Sequence, residues 1–122
     1  MAKKYIKQTN PFVVPTTDGK VIREHFGLAS INDGPYSVAH MIAPPGWSEP
    51  FQTPAFDEIT FVFKGQKQIT IEGEAPIILS AGESLLIKKN CRVKYSNPFE
   101  EETAYISICM PAFSIDLVNR ED

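Results

Sequence analysis

Apolar and polar positions alternate along this chain in short runs, and no long stretch repeats at helical spacing. Runs rich in β-branched and aromatic residues lie at 21–26, 36–42, 58–63, 67–71, 75–79, 84–87, 92–96 and 104–110. Each is bounded by residues that suit tight turns: Asn32-Asp33-Gly34-Pro35, Pro44-Pro45-Gly46, Lys64-Gly65, Glu72-Gly73-Glu74 and Ala81-Gly82. Many short strands separated by turn signals predict an all-β sandwich or barrel. Residues 62–71 read as a hairpin, with period-two alternation behind the Lys64-Gly65 turn. The tail from Pro111 has an apolar part, Phe113, Ile115, Leu117 and Val118, and a charged end, which predicts one short helix or a packed arm.

Length and composition fit one domain. The chain has 122 residues, 43% hydrophobic and 22% charged, with a net charge of −3. The division expected is a barrel core over about 20–112, an N-terminal arm over 1–19 and a C-terminal tail over 111–122. A net negative chain without clustered basic residues argues against nucleic acid as a partner. No apolar run reaches the roughly 20 residues of a membrane span. The basic opening Met1-Ala2-Lys3-Lys4-Tyr5 has no apolar run behind it and does not read as a signal peptide, so a cytoplasmic location is expected. Cys91 and Cys109 are then expected to stay reduced, as small buried hydrophobes.

One spacing pattern stands out. Gly46 is followed after five residues by Gln52-Thr53-Pro54, after three more by Glu58, and after six more by Gly65. Further on, Gly82 is followed after five residues by Lys88-Lys89-Asn90, after two more by Val93, and after three more by Asn97. This skeleton resembles the two motifs of the cupin family. The first family motif runs Gly, five residues, His-x-His, three or four residues, Glu, six residues, Gly; the second runs Gly, five residues, Pro-x-Gly, two residues, His, three residues, Asn. Gly46, Glu58, Gly65, Gly82 and Asn97 match without a gap. The resemblance implies a cupin jelly-roll barrel, a double-stranded β-helix, over most of residues 20–112. The segment Cys109-Met110-Pro111-Ala112-Phe113, with Arg120-Glu121-Asp122, is also similar to bacterial single-domain cupins and weakly to ethanolamine-utilisation cupins.

The departures from the family pattern bear on chemistry. In metal-binding cupins the motif histidines and glutamate converge inside the barrel on a first-row ion, for which imidazole is a strong donor. Here the histidine positions hold Gln52, Pro54 and Val93. Proline and valine carry no side-chain donor, and glutamine offers a neutral amide oxygen. No metal and no cofactor is therefore expected. The two histidines are His25 and His40; each suits a structural role, and His40 with Glu58 and Gln52 leaves a rearranged site as the alternative.

Side chains two apart on a strand share a face. If Glu58 points inward as the resemblance implies, so does Thr60; if Val93 takes the second-motif histidine place, so does Tyr95. The expected ligand-binding set is Gln52, Glu58, Thr60, Tyr95 and His40, with Arg92 at the mouth. Trp47, Phe51 and Phe56 suit packing, a lid or a subunit contact. A carboxylate in an apolar cavity without a metal should be protonated or hydrogen-bonded, with Tyr95 and Gln52 as its expected partners.

Three functions fit this pattern. The first is metal-independent binding of a small polar molecule in the barrel interior. The second is a metal-independent isomerase, epimerase, cyclase or lyase with Glu58 and Tyr95 as acid and base. The third is a structural or interaction domain, in which Glu58 simply holds the barrel shut. A homodimer is expected, because the apolar residues 11–15 have no evident partner within so small a barrel and closed symmetry is the common outcome for oligomers.

Overall fold

The structure is a computed structural model that describes residues 4–122. Met1, Ala2 and Lys3 of the basic opening lie outside the described residues. The elements are β1 (Phe12–Val13), β2 (Val21–Phe26), α1 (Leu28–Ile31), β3 (Ser37–Ala43), β4 (Asp57–Lys64), β5 (Gln66–Ile71), β6 (Ile77–Ser80), β7 (Ser84–Ile87), β8 (Val93–Ser96), β9 (Thr103–Met110) and α2 (Ile115–Val118). They form a six-stranded sheet in the order β1-β2-β3-β9-β4-β7 and a three-stranded sheet in the order β6-β5-β8. Every strand pair is antiparallel. The arrangement is the cupin double-stranded β-helix that the motif skeleton implies.

Alternation along β4 and β9 sets the inside. Glu58, Thr60 and Val62 on β4, and Thr103, Tyr105, Ser107 and Cys109 on β9, are buried, while their neighbours face outward. The main core gathers Val62, Ile69, Leu79, Ile87 and Val93 with Trp47, Tyr95 and Tyr105. A smaller cluster of Phe56, Cys109 and Val118, with Phe113 and Leu117 against it, docks α2 onto the barrel. Ser114 starts that helix by accepting a hydrogen bond from the Leu117 N–H, and Asn119 ends it in the left-handed conformation. Of the two forms expected of the apolar tail, a short helix or a packed arm, residues Ile115–Val118 take the helix.

Two expectations change. Residues 62–71 are not a hairpin: β4 pairs with β7 and β9, whereas β5 pairs with β6 and β8. Gly65 is the corner between the sheets. Its φ is +72°, and a Cβ there would run into the Glu102 carbonyl oxygen. A true two-residue turn would have returned the chain to its own sheet. The second change concerns residues 11–15, expected to lack a partner within the chain. Phe12 and Val13 pair with Glu24 and Arg23 of β2 and extend the large sheet by one short strand.

Asn97, matched to the second motif, is fully buried and structural. Its side-chain amide donates to the carbonyls of Ala43, Pro44 and Glu101, and its oxygen accepts from the Phe99 N–H. It satisfies the loop backbone that closes this end of the barrel. Among the described residues, no helix is long and apolar enough to cross a membrane.

Candidate functional site

The barrel encloses a cavity of about 400 Å³. Its walls come from β2, β3, β4, β5, β8 and β9, closed by residues 14–20 on one side and by the tail residues Phe113, Ile115 and Arg120 on the other. Met41, Ile22, Ala39 and the tyrosine rings give it an apolar body. Into it converge the ionisable side chains of Lys20, Lys67, Glu49, Glu58 and Arg120.

Lys67 is the most enclosed cation. It follows the Gly65 corner, on the face of β5 that also carries Ile69, and is 2% exposed. Its ammonium donates to Thr60 Oγ1 at 2.9 Å. It stands 3.6 Å from the Tyr105 ring centroid and 4.3 Å from that of Tyr95. Burial pushes its pKa down to about 7; the charge of Glu58 works upward, and Lys20 works downward with burial. Lys20, just before β2, lies 4.2 Å from the Trp47 ring centroid, and burial lowers its pKa as well. Among the described residues, neither lysine forms an ion pair with a carboxylate.

The carboxylates are held separately. Glu58 Oε2 accepts a 2.6 Å hydrogen bond from Ser107 across the β4–β9 pair. Burial raises the Glu49 pKa, opposed by the charges of Lys20 and Arg120. Arg120 reaches Glu49 at 3.5 Å and donates twice to Gln52 Oε1, at 3.1 and 3.0 Å. Among the described residues, the Tyr95 and Tyr105 hydroxyls are buried without a hydrogen-bond partner. Desolvation raises both phenol pKa values well above their usual range, so both remain neutral donors near neutral pH.

The structure brings Gln52, Glu58 and Tyr95 together on the cavity wall. Thr60 is fully buried behind them as the acceptor for Lys67. His40 does not join them: on β3 it is Ser37, Ala39 and Ala43 that are buried, so His40 takes the outer face, 6.5 Å from the Phe63 ring. A one-residue change of phase on a strand reverses its direction. Arg92 is also away from the cavity, stacked on Phe51 and paired with Glu121 at 2.7 Å. The partners expected for Glu58 differ too, since Ser107 serves it, Gln52 serves Arg120, and the Tyr95 hydroxyl serves neither.

Sequence reasoning missed Lys20, Lys67, Glu49, Arg120, Tyr105 and Ser107. For Lys67 a signal existed: it falls in phase with Ile69, so a buried Ile69 carries the lysine inward. Glu49 lies among the unspecified residues of the first motif, and the others lie outside the two motifs.

A family model described as a cupin domain matches residues 39–109. The chain belongs to the cupin family. A crystal structure of an RmlC-like cupin from Shewanella frigidimarina is similar, with a TM-score of 0.73, 12% identity, and coverage of 95% of this chain and 97% of that one. An RmlC-like cupin from Methanocaldococcus jannaschii gives 0.68, 16%, 91% and 93%. At these identities the likeness is one of fold. A curated relative from Myxococcus xanthus, named Endoribonuclease YbeY, is 44% identical over 109 residues. That alignment covers 89% of this chain and 37% of the relative, so this cupin spans little more than a third of the longer protein.

The family often carries a metal, and the donor set here does not fit one. Pro54 and Val93 offer no donor atom, Gln52 is engaged by Arg120, and lysines occupy the space facing Glu58. No group of three or more His, Cys, Asp or Glu side chains converges among the described residues.

Proposed function

We propose that this cupin binds a small polar molecule in its barrel interior without a metal ion. The observation that carries the reading is the pair of buried, unpartnered tyrosine hydroxyls in a cavity of about 400 Å³. A buried hydroxyl without a partner costs about 1–3 kcal/mol. Two of them lining one cavity, from different sheets, favour an occupant that accepts their hydrogen bonds. Lys20, Lys67 and Glu58 supply ionisable side chains that orient such a ligand, in the usual form of a small-molecule site: an apolar body with a few convergent polar groups. The reading includes cytoplasmic residence, which two free cysteines suit, and a homodimer.

The test is thermal unfolding of the purified protein against a library of small polar metabolites. A specific ligand at a hundred times its Kd stabilises by about 2.7 kcal/mol. At least one compound should raise the midpoint in a saturable way, and Glu58→Gln should weaken that response while folding normally. A library without a saturable stabiliser, or a Glu58→Gln response equal to that of the unaltered protein, refutes the reading.

A further inference from the structure

We propose that Lys67 is the nucleophile of a covalent carbonyl-binding site, its amine condensing with the aldehyde or ketone of a small ligand in the barrel cavity to form an imine. The inference rests on the cavity being a ligand site and adds the chemical class of the ligand.

The geometry separates Lys67 from a structural lysine. A lysine buried for stability is normally held by a carboxylate. Lys67 has none in contact; a threonine hydroxyl and two aromatic rings hold it in place, and its side chain lines the cavity. The ring faces favour the ammonium, as do the charges of Glu58 and Glu49, while desolvation and the charge of Lys20 favour the free amine. Desolvation prevails, with a pKa near 7, so about half the amine is free at neutral pH. A lysine of ordinary pKa has on the order of 1000-fold less. Desolvated lysines are the type that forms Schiff bases.

The step balances without a further reactant. The Lys67 Nζ lone pair forms the C–N bond, and the carbonyl π pair moves to oxygen. That oxygen takes up one proton, and the nitrogen gives one up, leaving a carbinolamine. The hydroxyl then leaves as water after gaining a second proton, the nitrogen lone pair closes the C=N bond as an iminium, and loss of the remaining N–H proton returns the proton consumed and leaves the imine. The Tyr95 and Tyr105 hydroxyls, protonated and without protein partners, are donors for an oxygen that gains charge in this sequence. Glu58, which accepts from Ser107, lines the same cavity and carries the carboxyl type that serves in general acid–base catalysis.

The probes are propionaldehyde, benzaldehyde and pyruvate, each incubated with the full chain at pH 7 and sodium cyanoborohydride. Intact mass and peptide mapping locate the reduced adduct, which adds the mass of the probe less one oxygen atom. With at least one probe, Lys67 should be modified at least about ten-fold faster than any exposed lysine. Its rate should rise up to about pH 7 and then level, while surface lysines continue to gain up to about pH 10. Lys67→Met should lose the adduct; if that variant fails to fold, Lys67→Arg replaces it, and the mapping of the unaltered protein decides on its own. Adducts confined to surface lysines or to Lys20, or no adduct with any probe, overturn the proposal. A probe that raises the midpoint of both the unaltered protein and Lys67→Met, with no adduct, overturns the imine and leaves the cavity reading standing.

Discussion

Replacing Lys67 by methionine should stabilise the protein in mild acid, and the advantage should fade as the pH rises. The folded lysine titrates near 7, against 10.5 for an ordinary one. Below pH 7 both folded and unfolded chains hold the proton, and the folded state bears the full cost of an enclosed ammonium. Between those values the folded chain gives up the proton and the unfolded chain keeps it, so stability climbs with pH. The whole span is worth up to about 5 kcal/mol at about 1.4 kcal/mol per pH unit, and the portion between pH 6 and pH 9 about 2.5 kcal/mol. Methionine has a similar length and no charge, and it forfeits the bond to Thr60, worth about 1 kcal/mol. Lys20 and Glu49 titrate in both proteins, so apart from their coupling to Lys67 they cancel in the difference. Urea unfolding of both proteins at pH 6, 7, 8 and 9 reads it directly. The gap should move by about 2–3 kcal/mol in favour of the lysine protein as pH rises, roughly 10 °C in midpoint for a domain of this size. A gap constant within about 0.5 kcal/mol, or one moving the other way, would refute the claim that desolvation governs Lys67.

Three other outcomes are expected. Gly65→Ala should cost about 2–4 kcal/mol in denaturant unfolding, because it combines a left-handed φ with a Cβ driven into the Glu102 carbonyl; a cost under about 0.5 kcal/mol would contradict the tight corner. Elemental analysis of protein purified without an affinity tag should find well under one equivalent of Fe, Mn, Ni, Cu or Zn, and near one equivalent would overturn the reading of the donor set. Sedimentation at tens of micromolar should show the proposed homodimer, with Phe63→Glu shifting it to monomer: Phe61, Phe63, Leu86 and Met110 are exposed on strands of the large sheet, an apolar face suited to a second copy, and a clean monomer before substitution would exclude it.

The barrel was legible because its signals are local and repeated. Each of the eight expected strands is present, with ends moved by no more than two residues, since turn residues and period-two alternation mark them directly. β1 was not legible: two residues between Pro11 and Pro15 have too little pattern to announce a strand. The hairpin error had a different origin, because Lys64-Gly65 suits a tight turn and a corner equally, and only the Glu102 backbone beside it distinguishes them. Within the cavity, Glu58 and Gln52 could be placed by spacing. His40 could not, because a strand outside both motifs has no residue to fix its phase. Lys67 and Lys20 lie beside turns and outside the motif positions, and their burial depends on contacts with strands distant in sequence.

Two of the cavity's three cations, Lys20 and Arg120, lie outside the residues 39–109 that match the cupin family, although they help to close its interior. Under the proposed function, recognition is thereby divided between the matched frame and two flanking segments. Chains with nearly the same barrel could differ in cargo through their flanks alone. A chimera that keeps residues 39–109 and exchanges the flanks with those of another cupin should then carry the donor's preference for charge into an unchanged frame.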